Sequence, residues 1–183
     1  SESPSTDLAA VARSAQTVAR VGAARLGAPP EAIVLDGSTH LRWRIGPGPR
    51  RVLLLGHHDT VWPVGSLATH PWATDGGRLR GPGCFDMKAG VVMALHAAAT
   101  AAGQRASVTV LLTGDEEVGS PSSRGLIEAE AAGAQAALVL EASAEGGALK
   151  TERKGAGFYR VQIAGRAAHA GLEPHRGVNA SVE

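Results

Sequence analysis

The 183-residue sequence is poor in several features, and each shortage excludes a class of protein. Its single cysteine, Cys84, excludes an internal disulfide and gives no sign of an oxidising compartment. No apolar run approaches the roughly 20 residues of a membrane span. The start, SESPSTD, lacks the basic and apolar regions of a signal peptide. We therefore expect a cytoplasmic protein, and leave a periplasmic or secreted one open because the start has the character of a truncated end.

Aromatic residues are also scarce, and the positive and negative charges nearly balance. Aromatics make up 3% of the chain and the net charge is +1, so we expect an aliphatic core and neither nucleic acid nor membrane as partner. Four arginines flank a Gly-Pro turn, and this pattern favours a solvated hairpin over a binding surface: Arg42, Arg44, Arg50 and Arg51.

The apolar spacing predicts helices that alternate with short strands. Helices are predicted at 8–27, 91–102 and 126–132, and strands at 32–35, 40–45, 52–55, 108–113 and 136–140. Ser5 or Thr6 would cap the first helix, and His40 would lie on the exposed face of its strand. This alternation predicts an α/β fold, a mostly parallel mixed sheet flanked by helices.

The pattern changes after about Lys154. Alternating apolar residues predict another strand at 158–163, and the chain stops within a predicted first helical turn at 178–183. The sequence thus divides into a domain at 1–153 and the start of a second at 154–183. We expect both to be parts of a longer protein.

Titratable residues follow three of the predicted buried strands, namely His57 and Asp59, Asp115 to Glu117, and Glu141. A glycine-rich loop adds Asp86. Because ligands bind at the carboxyl ends of strands in open α/β sheets, these side chains are expected to meet. One histidine with several carboxylates suits zinc or another divalent first-row metal, and a carboxylate bridging two ions would explain the excess. Each acidic cluster alone could equally be an exposed loop.

Four motifs occur in a specific order: GHHDTV, GPGCFDMKAG, TGDEEVGS and AAHAG. They resemble the dinuclear zinc amidohydrolases and exopeptidases, a family with glutamate carboxypeptidase, acetylornithine deacetylase, succinyl-diaminopimelate desuccinylase and aminoacylase. GSPSSRGLIEAEA and GVNA resemble the bacterial glutamate carboxypeptidase branch. The resemblance implies a zinc-exopeptidase-like catalytic domain, of which 1–153 is the N-terminal part. It makes 154–183 the beginning of a small α+β lid domain, through which the intact protein would form a homodimer.

The same resemblance assigns the metal ligands. It implies two zinc ions, with cobalt or manganese as alternatives, held by His57, Asp86, Glu117 and Glu141. Asp86 would bridge the ions and precede a cis peptide bond, while His58 would not be a ligand. The last ligand of the family is a later histidine, and none of four remaining histidines matches it: His40, His70, His96 and His175.

The resemblance also implies three catalytic residues. Asp59 would orient the His57 imidazole, and Glu116 would be the general base. His169 would reach a neighbouring subunit's site and stabilise the developing oxyanion. The implied reaction is hydrolysis of an amide bond in a small peptide or N-acyl amino acid through a metal-activated bridging water, as in a glutamate-carboxypeptidase-like exopeptidase. An N-acyl-amino-acid deacylase and an inactive metal-binding fragment remain alternatives.

Overall fold

A computed structural model of the chain describes residues 1–101 and 106–181. The chain divides into two compact units, Ser1–Ser143 and Ala144–Glu183. The functional domains predicted at 1–153 and 154–183 stay predictions. Within the described ranges, no helix has the length and hydrophobicity needed to cross a bilayer.

The first unit is built on a five-stranded sheet with the strand order β1-β2-β6-β3-β7. Strand β3 pairs in parallel with β6 and β7, whereas β2 pairs antiparallel with β1 and β6. A separate hairpin joins β4 to β5. The elements are α1 (Leu8–Leu26), β1 (Glu31–Leu35), β2 (Ser38–Ile45), β3 (Arg50–His57), α2 (Ser66–Thr69), β4 (Ala73–Asp75), β5 (Arg78–Arg80), α3 (Ala89–Ala101), β6 (Ala106–Thr113), α4 (Arg124–Ala132) and β7 (Ala136–Val139). The mixed sheet is as predicted, although only half of its strand pairs are parallel.

Helix α1 begins at Leu8 as predicted, but its N-cap is not one of the predicted residues. The carboxylate of Asp7 accepts a hydrogen bond of 2.9 Å from the backbone N–H of Ala10, so Asp7 is the N-cap. The prediction of Ser5 or Thr6 was wrong, because the Ser5 hydroxyl is bonded elsewhere. The helix ends at Gly27, whose positive φ of 78° suits a residue without a side chain.

The main core lies between one face of the sheet and the helices α1 and α3. Its buried side chains come from alternate positions of β2, β3 and β6 and from the inner stripes of both helices: Ala15, Leu41, Trp43, Leu54, Val91, Ala94, Leu95, Ala98, Val108, Val110 and Leu112. The indole of Trp43 packs directly on Gly22 of α1 and donates a hydrogen bond of 3.0 Å to the carbonyl of Ala28. This aliphatic core agrees with the scarcity of aromatic residues.

Helix α4 is attached to the opposite face by a buried carboxylate. Glu130, only 4% exposed, accepts from Arg42 and Arg44 of β2 at 2.7 and 2.5 Å, and from Arg51 of β3 at 3.5 Å. Because Arg42 and Arg44 alternate with Leu41 and Trp43, they point away from the main core. The predicted hairpin is wrong, because β6 lies between β2 and β3. Arg44 and Arg51 are about half exposed, but together with the mostly buried Arg42 they pair with Glu130 and so connect α4 to the sheet.

Three other predictions were wrong, because burial and strand pairing depend on which elements pack together in the fold. Strand β7, predicted to be buried, is exposed, since it is the edge strand of the described sheet. His40, predicted to be exposed, is fully buried. Residues 158–163 form no strand, because the described part of the chain offers their backbone no partner strand, and Phe158 is 100% exposed.

The second unit contains little regular structure. It has single helical turns at Glu145–Gly147 and Pro174–Arg176 and an antiparallel bridge between Arg166 and Val178. The helical turn predicted at 178–183 is absent from residues 178–181, and residues 182–183 lie outside the described ranges.

The contact between Gly22 and Trp43 predicts opposite effects for two Gly→Ala substitutions. A Cβ at Gly22 would overlap the buried indole, so we expect Gly22→Ala to lower the free energy of unfolding by about 1–3 kcal/mol. Gly125→Ala in α4 is the matched control, because a Cβ there meets nothing within 4 Å. It should raise the free energy of unfolding by about 0.4–1 kcal/mol. Urea denaturation measures both, and a neutral Gly22→Ala would contradict the packing.

Candidate metal centre

The site lies where three parallel strands end. His57 is the last residue of β3 and pairs with Thr113, the last residue of β6. Beyond Thr113 the chain turns into the loop that carries Glu116 and Glu117, and β7 leads through Leu140 to Glu141. The structure thus brings together at one sheet edge the three strand-end motifs that the sequence suggested.

One imidazole nitrogen faces three carboxylates. Nε2 of His57 lies 3.1 Å from Oδ1 of Asp86, 3.3 Å from Oε1 of Glu141 and 3.7 Å from Oε2 of Glu116. The imidazole is 1% exposed, whereas Glu116 is about half exposed, so the cluster opens to solvent on the carboxylate side. The predicted ligands His57, Asp86 and Glu141 therefore converge, with the predicted base beside them.

The spacing of this triad fits a metal ion. One ligand atom from each of His57, Asp86 and Glu141 can be chosen so that all lie within 4.8 Å of one another. Ligand atoms around a tetrahedral zinc ion are about 3.3–3.4 Å apart, because the bonds are about 2.0–2.1 Å long. The observed 3.1 and 3.3 Å from the His57 nitrogen are close to this separation, although the shorter distance is also that of a direct hydrogen bond between His57 and Asp86. An imidazole with carboxylates is also a donor set that zinc and other first-row metals accept.

The electrostatics of the cluster favour a cation. Burial raises the pKa of Glu141, and the nearby Asp86 charge raises it further; the pKa of Glu117 is raised by the same two causes. Burial alone would lower the pKa of His57, but the hydrogen bond and charge of Asp59, reinforced by two glutamates, raise it to about 9. Several carboxylates thus lie close together with only the His57 imidazole to balance their negative charge. A bound divalent ion would relieve their repulsion.

Asp59 fixes the imidazole from behind. Nδ1 of His57 lies 3.0 Å from the carbonyl oxygen of Asp59 and 3.3 Å from its carboxylate Oδ1. With Nδ1 engaged on this side, Nε2 is directed at the carboxylate cluster, the arrangement in which a partner sets the tautomer of a metal-binding histidine. The peptide bond Asp86–Met87 is cis, as the resemblance implied.

A second buried aspartate holds the loop with the two glutamates. The carboxylate of Asp115 accepts four hydrogen bonds of 2.6–3.1 Å, from the backbone N–H groups and hydroxyls of Ser122 and Ser123. Burial alone would raise the pKa of Asp115, but these hydrogen bonds lower it. They close residues 115–123 into a fixed loop, which sets the position of Glu116. Ser123 is the residue before α4, but its side chain bonds Asp115 and does not cap the helix.

His40 contacts the same loop without forming a nucleophilic serine site. Its Nδ1 accepts from the N–H of Gly114 at 3.2 Å, so the proton is on Nε2, which faces the Ser122 hydroxyl at 3.2 Å. That nitrogen donates to Ser122 and cannot remove its proton, while the hydroxyl donates to Asp115. The group is a structural support for the loop, despite its resemblance in composition to a Ser-His-Asp triad.

Glu141 approaches the cluster because Gly90 leaves room for the backbone before it. Any Cβ at Gly90 would collide with the carbonyl oxygen of Leu140. The start of α3 and the end of β7 can therefore lie in direct contact, which brings the residue after Leu140 beside the turn that contains Asp86.

Three other residues that the sequence singled out are not members of the triad. Glu117 is not part of the three-residue group found among the described residues, although its backbone N–H donates to Asp59 at 3.2 Å. His169 is in the second unit, where its Nδ1 accepts from the N–H groups of Gly171 and Leu172. His58 donates from Nε2 to the carbonyl of Thr39, which agrees with its predicted exclusion from the ligands. The roles assigned to the predicted site residues stay predictions.

Sequence reasoning missed the residues that support the site from a distance. Asp115 was noticed only as part of an acidic cluster, and Ser5 only as a possible helix cap. The repeated serines at 120, 122 and 123 were the available signal for Asp115, because Ser side chains commonly bond a nearby carboxylate in loops. Nothing in the local pattern pointed from Ser5 to a residue 54 positions away.

Comparison with known proteins shows which family and which relatives this chain is similar to. The model of peptidase family M20/M25/M40 matches residues 53–181. The chain is 40% identical over 143 residues to carboxypeptidase G2 of Pseudomonas sp. (strain RS-16), covering 75% of this chain and 34% of that relative. It is 38% identical over 98 residues to acetylornithine deacetylase of Myxococcus xanthus, covering 52% and 26%. The chain spans about a quarter to a third of the length of these relatives.

Solved structures share the fold. An M20 family metallo-carboxypeptidase from Sulfolobus solfataricus has a TM-score of 0.62 at 19% identity, covering 73% of this chain and 33% of that one. Human carnosine dipeptidase 1 has a TM-score of 0.55 at 22% identity, covering 75% and 35%. These neighbours confirm the predicted mixed sheet flanked by helices.

The triad predicts a loss of metal affinity when one carboxylate is removed. We expect Glu141→Ala to raise the dissociation constant for zinc at least about tenfold, since even loss of a ligand's supporting partner typically costs about 10–100-fold. Glu145→Ala, at an exposed carboxylate four residues later, is the matched control and should bind zinc like the unchanged chain. Competition with a chromophoric chelator measures both constants. Equal affinity in the two variants would exclude Glu141 as a ligand.

Proposed function

The chain belongs to peptidase family M20/M25/M40, and from this premise we propose that the protein hydrolyses an amide bond with the help of bound metal. The observation that carries the proposal is the convergence of His57, Asp86 and Glu141 with Glu116 beside them. A cation-binding triad next to a half-exposed carboxylate is a combination suited to metal-assisted hydrolysis.

We propose a small peptide as substrate, cleaved by an exopeptidase of the glutamate carboxypeptidase type. The support is the 40% identity to carboxypeptidase G2, which extends over three quarters of this chain. An N-acyl amino acid is the second candidate, favoured by the 38% identity to acetylornithine deacetylase over about half of the chain. Assays of the complete protein with C-terminal glutamate dipeptides and with N-acetyl amino acids distinguish the two substrates.

Zinc is the metal we propose, in two positions. His57, Asp86 and Glu141 would hold one ion, and Asp86 together with Glu117 would contribute to the second. When bound, the metal supplies Lewis acidity and allows water to ionise near neutral pH. The protein's contribution is a fixed donor set, because Asp59 holds the imidazole and Asp115 holds the loop.

We propose that Glu116 moves the proton. Its carboxylate lies 3.7 Å from the His57 nitrogen and is about half exposed, so it reaches both the triad and the solvent. A water approaching the substrate carbonyl beside the triad would give its proton to Glu116. The same carboxylic acid then donates the proton to the nitrogen of the leaving amine, which completes cleavage of the amide bond.

This role predicts that Glu116→Gln separates turnover from metal binding. The amide cannot accept the proton, so we expect kcat of the complete protein to fall by about 10²–10⁴-fold while zinc content is retained. Glu128→Gln makes the same change at an exposed carboxylate of α4 and should leave kcat unchanged. Steady-state kinetics and metal analysis of the purified variants provide the test. Near-normal turnover of Glu116→Gln would exclude it as the base.

A further inference from the structure

The first six residues, here called the N-terminal segment, lie alongside the residues that follow His57. Thr60 donates from its backbone N–H to the carbonyl of Ser3 at 2.8 Å, and Ser5 donates to the carbonyl of Thr60 at 3.2 Å. The buried Ser3 hydroxyl donates to the carbonyl of His58 at 2.6 Å. The N-terminal segment therefore does more than precede α1, because it is hydrogen-bonded to the residues that follow His57.

Ser5 contacts the residue that orients the imidazole. Its hydroxyl donates a 2.6 Å hydrogen bond to Oδ2 of Asp59, a side chain that is 0% exposed. The same oxygen accepts from the N–H of Glu117 at 3.2 Å, while Oδ1 faces Nδ1 of His57 at 3.3 Å. Short hydrogen bonds to a buried carboxylate are among the strong ones, and a carboxylate bound on one side is fixed in its rotation.

Lys88 joins the segment to the turn that carries Asp86. Its ammonium group donates to the carbonyl of Ser1 at 2.8 Å and to the Ser3 hydroxyl at 3.0 Å. Lys88 follows Asp86 by two residues, within the same turn at Cys84–Lys88. The N-terminal segment thus bonds to two of the three parts of the chain that supply ligands, the residues after β3 and this turn, so that Ser5 is held in place beside Asp59.

We propose that Ser5 is a positioning residue of the metal centre. It acts through Asp59, whose rotation it fixes so that Oδ1 faces the His57 imidazole and Nε2 faces Asp86 and Glu141. The inference rests on the proposed function, because it takes His57 as a metal ligand. Ser5 lies outside residues 53–181, the part of the chain that the family model matches.

The physical consequence of losing the hydroxyl follows from burial. Without the Ser5 hydroxyl, Oδ2 of the buried Asp59 carboxylate keeps only the longer bond from the N–H of Glu117. The carboxylate is then less fixed in its rotation, and the charge of Oδ1 can move away from Nδ1 of His57. Metal affinity should fall even though no ligand has been changed.

The test is a double-mutant cycle on zinc affinity in the full chain, with Ser5→Ala, Asp59→Asn and both together. We expect Ser5→Ala to raise the zinc dissociation constant about tenfold alone and less than about twofold in the Asp59→Asn background. Ser5→Thr keeps the hydroxyl and should restore affinity. Thr6→Ala, at the exposed neighbouring position, should behave like the unchanged chain.

Three results would overturn the proposal. These are unchanged affinity in Ser5→Ala, an equal effect with and without Asp59, and a Ser5→Thr variant as weak as Ser5→Ala. A general loss of folding would lower affinity equally in both backgrounds, so it counts against the proposal. The proposed function can fail separately from the role of Ser5. If the unchanged chain binds zinc but the complete protein cleaves neither substrate class, only the proposed function is rejected. Normal cleavage with an additive cycle would reject only the role of Ser5.

Discussion

The negative charge gathered around one buried imidazole is the constraint on which the rest of this structure depends. Asp86, Glu116 and Glu141 approach the same nitrogen of His57 to within 3.7 Å, and Asp59 lies behind it. These carboxylates repel one another, and burial adds to the cost of charging Glu141, so positive charge at the centre stabilises the cluster. A divalent ion would supply that charge, and the separation of the donors suits one.

The scaffold meets this constraint by fixing each donor from outside. Parallel pairing of β3 with β6 and β7 brings three strand ends to one edge, and each contributes a different part of the site. Asp115 closes the loop that holds Glu116, and Gly90 allows the backbone before Glu141 to approach. Asp59 links the imidazole to the N-terminal segment through Ser5. Rigid supports of this kind keep a donor set in place before the ion arrives.

The sequence was informative where a local pattern determines the structure. Apolar runs followed at once by His57, Glu116 or Glu141 predicted both the strands and their meeting point, because parallel strands place their ends together. It was uninformative where burial depends on distant neighbours. The exposure of β7, the burial of His40 and the pairing of Arg42 with Glu130 depend on which elements pack against each strand. Residues 158–163 have the alternation of a strand but no partner in the described chain.

X-ray absorption spectroscopy at the zinc edge, on the chain loaded with one equivalent of zinc, tests the central claim most directly. The account predicts a first shell of nitrogen and oxygen at about 2.0–2.2 Å, with the outer scattering of a single imidazole. Two or more imidazoles, or a sulfur atom at about 2.3 Å from Cys84, would contradict a site built from His57, Asp86 and Glu141.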